Sequence, residues 1–317
     1  MNFFLNINRG LVFAALILFS NCASDSDQTA NKSAGSVEAA NASQAAWEKV
    51  VDGLNFPEGP AWDGNGALYF SNCYGGWITK LAHGRADTFL LAQPSPFSFD
   101  KTNGMTVHNG FLFACDFGKG AILKISPEGE TEMYASAFEG QAFNRPNDLA
   151  FDNAGNLYFT DPKTYSREIL DGRIFRVRAN DHTIDMLADS LGFPNGIAFS
   201  HDGKQLYVCE SAFERVLRFD IEPDGGLANK EVFITLPGGD PDGIAFDREG
   251  NLFVAHFGGG AVYIIAPDGA IRQKLATPGA KPTNLEFGGE DLQTLYLTEV
   301  ETNALYQMRA NHAGTLR

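Results

Sequence analysis

Between residues 47 and 310 the chain alternates short apolar runs with clusters of Gly, Asp and Asn. Four phrases make the pattern plain: "FPEGPAWDGNGALYFSN" at 56–72, "RPNDLAFDNAGNLYFTD" at 145–161, "FPNGIAFSHDGKQLYVCE" at 193–210 and "DPDGIAFDREGNLFVAH" at 240–256. Each holds a turn, a short strand, a second turn rich in Gly, Asp or Asn, and a second strand. Aligned on the proline, the chain yields six rows anchored at Pro57, Thr102, Pro146, Pro194, Pro241 and Pro282, at intervals of 45, 44, 48, 47 and 41 residues. Third strands follow, such as "AILKIS" and "GRIFRV", and then fourth strands such as "TEMYAS" and "EVFITL". Strand-sized runs without a helical period indicate an all-β chain, and four strands per unit of forty-odd residues indicate propeller blades. The expected fold is a six-bladed β-propeller over residues 47–317, its four-stranded blades set around a central channel. The last row lacks a fourth strand, and "WEKVV" at 47–51 is expected to supply it and fasten the ring. A sandwich or ordinary barrel does not explain a layout kept six times.

The segment ahead of the repeats has a different pattern. Arg9 precedes the apolar run "LVFAALILF" at 11–19, and "LFSNC" closes on Cys22. Nine apolar residues are too few to span a bilayer but suit the core of a secretory signal. Residues 1–22 are therefore expected to be a signal peptide, of lipoprotein type if Cys22 is acylated and cleaved simply if it is not. Residues 23–46, rich in Ser, Ala, Asn and Asp, are expected to be a flexible linker. The implied location is outside the cytoplasm of a bacterium, periplasmic or attached to the outer membrane, with contact to the membrane only through the anchor at Cys22.

Composition narrows the function. Lys and Arg number 24 against 39 Asp and Glu, a net charge of −15. That balance argues against a nucleic-acid partner and is compatible with a cation site. Cys73, Cys115 and Cys209 form no CxxC motif, so zinc–thiolate ligation has no support. Cys115 and Cys209 occupy the same column of blades separated by a whole blade and are expected to stay reduced and buried.

The residue after each anchor opens an innermost strand, so six of them should ring one mouth of the channel: Glu58, Asn103, Asn147, Asn195, Asp242 and Thr283. The second strand runs back, and its end should place Asn72, Asp116, Asp161, Glu210, His256 and Glu299 in an outer ring. Carboxylates and amide oxygens are the donors that hard divalent cations take, and calcium tolerates irregular sets of them. Calcium is the expected ion, with zinc, magnesium or manganese as alternatives. A turn alone explains any single PNG or PDG, but glutamate at 58 is not a turn former.

Glu58 in "FPEGPAW", Asn147 in "NRPNDLAFD", Asn195 in "FPNGIAFS" and Asp242 in "DPDGIAFD" together resemble the signature of the regucalcin/gluconolactonase family. The resemblance spans roughly residues 50–310. It implies a six-bladed propeller that hydrolyses lactones with a bound divalent metal. It implies Glu58, Asn147, Asn195 and Asp242 as metal ligands, Arg145 as a substrate contact and Asp242 as catalytic base. Asn103 is expected to contact substrate. Asp161 is a second candidate for the base, and Asp116 and His256 are expected to face the substrate. A small-molecule lactone is the expected partner, and the chain is expected to act as a monomer. Related propellers act on phosphotriesters with the same ring, so an ester hydrolase of that kind is one alternative, and a non-catalytic, calcium-stabilised binding propeller is another.

Overall fold

The structure is a computed structural model that describes residues 47–93 and 98–315. The expected signal peptide and the linker lie outside the described residues. The described chain forms six four-stranded antiparallel sheets, each built from consecutive strands except the last. The innermost strands are Pro57–Trp62, Thr102–His108, Leu149–Phe151, Pro194–Phe199, Asp240–Phe246 and Pro282–Gly288. A two-residue hairpin, Ala137–Phe138 with Gln141–Ala142, and one 3₁₀ turn at Ser211–Phe213 are the only other elements among the described residues.

The sixth blade closes as the sequence suggests. Strand Glu48–Val51 pairs antiparallel with Ala304–Arg309, Lys49 facing Tyr306, and becomes the outer edge of a sheet otherwise drawn from the C-terminal end. Trp47 Nε1 donates to the Ala276 carbonyl on the fifth blade at 2.9 Å, pinning the start of that strand.

Period-two side-chain alternation explains how flat blades become a wheel. In "LYFTD", Leu157 and Phe159 pack toward blade 2 with Phe113, Phe151 and Phe175, while Tyr158 packs toward blade 4 with Phe199 and Leu206. Each blade is thus apolar on both faces, and six apolar clusters fill the six interfaces between neighbours. Cys115 and Cys209 are free and buried in two different clusters, which is why they do not meet.

Hydroxyls tie the innermost strand of a blade to the neighbouring blade. Ser71 Oγ donates to the Asn103 carbonyl at 2.7 Å, Thr160 Oγ1 to that of Asn195 at 2.7 Å, and Ser211 Oγ to that of Pro241 at 2.8 Å. Thr283 Oγ1 donates to the Pro57 carbonyl at 2.9 Å and so joins blade 6 to blade 1. Thr283 is therefore a latch of the ring rather than a ligand position.

Candidate metal and substrate site

Glu58 and Asp242 open their strands in the channel mouth and are 4% and 7% exposed. Burial pushes the Glu58 carboxyl up to about 8, and the Asp148 charge adds to it, although Gly59 N–H donates to Oε2 at 3.0 Å. Asp242 rises well above the ordinary carboxylate range, first through burial and then through the charges of Glu58 and Asp148. The Asn195 side chain donates to Asp242 and works the other way. Residues from blades 1, 4 and 5 thus share one neighbourhood. Asn103 and Asn147 are half-buried beside it, and their amides have no hydrogen-bond partner among the described residues.

The donor chemistry fits a hard dication. The strongest charges felt by the two buried carboxylates are negative, and half-buried amide oxygens stand alongside. Among the described residues no three His, Cys, Asp or Glu side chains converge to hold a metal. Any ion here depends on the asparagine oxygens as well as the two acids.

The outer ring differs from expectation, and for one physical reason. Where the second strand ends, the loop leading into the inner strand leaves backbone N–H groups that need acceptors. Asn72 accepts from Asn55 N–H, Asp116 from Asp100, Lys101, Gly118 and Lys119, and Asp161 from Asn144 and Arg145. Glu210 and Glu299 do the same for Gly192 and Lys281. Asp161 also pairs with Arg173 at 2.6 Å and is fully buried, so both its oxygens are engaged. It holds the backbone of Arg145 instead of waiting for a proton. Asp116 likewise ties its own loop, and His256 is buried with Nε2 against the Leu236 carbonyl at 2.8 Å. Neither Asp116 nor His256 reaches the mouth as a substrate contact.

A third column escaped the sequence reading. The position after the inner-ring residue is glycine in blades 1, 2, 4 and 5 (Gly59, Gly104, Gly196 and Gly243) but Asp148 and Asn284 in blades 3 and 6. A Cβ on Gly104 would overlap Asp148 Oδ1, and one on Gly243 would overlap the Asn284 amide. Gly104 and Gly243 clear the space that two polar side chains fill, while Gly59 and Gly196 let the backbone of the next blade come close. Asn284 hydrogen-bonds both Glu58 and Asp148, and burial pushes Asp148 up to about 7. The G, G, D, G, G, N alternation was the available signal.

Above the ring lies a cavity of about 110 Å³. Asn103, Asn147, Arg145 and Cys73 line it, and Phe56, Tyr74, Phe117 and Phe193 surround them. Burial raises the Cys73 thiol first, and then the charges of Glu58 and Asp242 do, which places the cavity floor against those carboxylates. Arg145 is exposed, and its guanidinium has no partner among the described residues. The segment 162–171 forms part of the wall: Pro162 lines the cavity, and Tyr165 Oη donates to Asp240 Oδ1 on blade 5 at 2.7 Å.

Comparison with known proteins accords with this arrangement. The family described as SMP-30/Gluconolactonase/LRE-like region matches residues 56–301. A gluconolactonase from Zymomonas mobilis is 32% identical over 281 residues, covering 79% of this chain and 78% of that one. The diisopropyl-fluorophosphatase of Loligo vulgaris is 32% identical over 301 residues, covering 84% and 92%. Among solved structures, a gluconolactonase from Xanthomonas campestris superposes with a TM-score of 0.74 at 27% identity, covering 86% of this chain and 92% of its own. The chain belongs to the SMP-30/gluconolactonase/LRE-like family.

Proposed function

We propose that this chain is a divalent-metal-dependent hydrolase that opens the ring ester of lactones, sugar lactones among them. The observation that carries the reading is the pair of buried carboxylates, Glu58 and Asp242, beneath a cavity where Arg145, the one cationic lining group among the described residues, has no partner among them. Glu58, Asn147, Asn195 and Asp242 would hold the ion, and this all-oxygen donor set favours calcium. Bound there, a hard dication supplies polarisation of the ester carbonyl and charge to offset the developing oxyanion. Arg145 orients the substrate's ring or substituent oxygens, with its loop held by Asp161. Asn103 offers an amide to the same substrate. Asp242 accepts the proton of the attacking water. The relatives named gluconolactonase, pentonolactonase and L-arabinolactonase support the reaction class.

The test is to strip metal with a chelator and follow acid release from glucono-δ-lactone and from paraoxon while calcium, magnesium, manganese or zinc is returned. Turnover of the lactone restored by metal and lost in Asp242→Asn supports the reading. Turnover of paraoxon alone favours the phosphotriester alternative, which the Loligo relative keeps open. Metal binding with no ester turnover leaves a binding propeller. We also propose export and anchoring through Cys22, and a Cys22→Ser chain that stays in the membrane fraction would refute the anchor.

A further inference from the structure

Toward the end of the wheel opposite the mouth, the third strands carry a column of their own: Lys80, Lys124, Arg176, Arg218, Ile264 and Gln307. Each lies opposite an aromatic residue of the second strand, in order Tyr69, Phe113, Tyr158, Tyr207, Phe253 and Tyr296. On the fourth strand the facing residues are Asp87, Glu132, Asp185, Glu231, Gln273 and Glu48. In blades 2 to 4 base and acid form an ion pair: Lys124–Glu132 at 2.7 Å, Arg176–Asp185 at 2.6 Å, and Arg218–Glu231. In blade 6 Gln307 Nε2 donates to Glu48 at 2.9 Å, and in blade 1 the Lys80 ammonium stands 5.2 Å over the Tyr69 ring. Blade 5 alone has an apolar residue in this column, Ile264, between Phe253 and Gln273.

Beside Ile264, between blades 5 and 6, lies a cleft of about 310 Å³ with Phe253, Ile264, Leu275 and Met308 as its apolar lining. The chain leaving strand Ala304–Arg309 walls it. That chain is tied to the blade 5 hairpin by Arg248 N–H to the Ala313 carbonyl and Thr315 N–H to that of Phe246, both at 2.9 Å. Cations stand at the rim. Arg309 is held by Asp291, at 2.9 Å from Nη1, but Arg272 is exposed, and neither its guanidinium nor the His312 ring has a partner among the described residues. The one acid in the lining, Asp247, is 1% exposed, and its oxygens accept from the backbone and side-chain N–H groups of Asn251 at 2.8 and 2.7 Å. A chain of net charge −15 thus sets an unneutralised guanidinium beside an apolar cleft.

We infer that this cleft is a second ligand site, which takes a small organic anion with a flat apolar body, an aryl carboxylate being the type. The body lies against Phe253 and Ile264, in the position that Lys80 takes over Tyr69 in blade 1. The carboxylate meets the Arg272 guanidinium, whose planar fork matches two carboxylate oxygens, with His312 beside it. The hairpin turn at 247–251 lies at the opposite end of its strand from Asp242, so a ligand here leaves the channel mouth open. The inference stands apart from the lactonase reading.

Calorimetry on the full chain decides it, with 2-naphthoate as the probe and neutral 2-naphthamide for comparison. Naphthoate should bind with a Kd below about 1 mM, and naphthamide about tenfold more weakly. Arg272→Gln should weaken naphthoate by about tenfold as well. Ile264→Lys combined with Gln273→Glu gives blade 5 the ion pair of its neighbours, so it should fold and should abolish binding. Arg272 is exposed, so its variant keeps the measurement open should the double variant misfold. Arg145→Gln should bind naphthoate as wild type does, which separates this cleft from the cavity at the mouth. Equal affinity for the amide, unchanged binding in Arg272→Gln or in a folded double variant, or loss of binding in Arg145→Gln overturns the inference. So does a wild-type chain that binds no naphthoate, the result expected if residues 23–46 or a second copy of the chain filled the cleft.

Discussion

Glu58→Gln in the metal-free protein isolates the electrostatic tension at the centre of the wheel. The wild-type carboxyl ionises near 4.5 in the unfolded chain but at about 8 in the folded one, chiefly because it is buried. Above pH 4.5 the folded state therefore holds a proton that the unfolded state has lost, and stability falls as pH rises until the folded group also ionises. The full gap between 4.5 and about 8 is worth about 5 kcal/mol at about 1.4 kcal/mol per tenfold, and about 3 kcal/mol of it is expressed between pH 5 and pH 8. Glutamine keeps the shape and discards the titration. The assay is urea unfolding with chelator present at pH 5 and pH 8, at constant ionic strength. At a slope of about 3 kcal/mol/M the wild-type midpoint should drop by about 1 M more than that of the variant. Calcium should abolish most of the wild-type drop, since an ion that binds only the folded, ionised site displaces the proton. Equal pH dependence in the two proteins would refute the placement of Glu58 in a buried anionic cluster. So would greater wild-type stability at pH 8 than at pH 5.

Three further outcomes follow from particular contacts. Asp242→Asn should lower kcat for glucono-δ-lactone by a factor of about 10²–10⁴, because it removes the proton acceptor, and should leave the melting temperature of the metal-free protein unchanged, because burial already disfavours the charged carboxylate there. Asp161→Ala should cost about 3 kcal/mol by calorimetry, since it strands Arg173 and frees the Arg145 loop, and should raise KM more than it lowers kcat. A kcat loss matching that of Asp242→Asn would instead make Asp161 the base. Thr283→Val should cost about 1–3 kcal/mol in urea melts by depriving the Pro57 carbonyl of its donor, and Thr283→Ser should restore it.

Much of the wheel was legible because its code is local. Strand length, turn residues and the two-residue alternation lie within each repeat, so the six rows, the four strands in each and the completing role of 47–51 could be read without coordinates. The same column showed that Glu58 and Asp242, acids opening inner strands, belong at one mouth. The outer column looked equally chemical, yet its side chains are engaged by the chain itself. Asp116, Asp161 and His256 sit one strand farther out, where the nearest demand is for partners to backbone N–H and C=O groups of the adjoining loop, and that demand absorbs them.

The chain order of residues thus determines which side chains occupy equivalent places in six blades. What each place touches is settled only when the blades close on one another. Asn284 meets Glu58 across the seam between the last blade and the first, and the glycines at 104 and 243 matter because of side chains on the following blade. The left-handed backbone at Phe56 and Phe193 is equally invisible in the one-dimensional pattern, where both read as ordinary apolar residues before a proline. Burial, and with it the elevated proton affinity of the central acids, arises from that closure, because removing water around a carboxylate takes neighbours that are hundreds of residues apart along the chain.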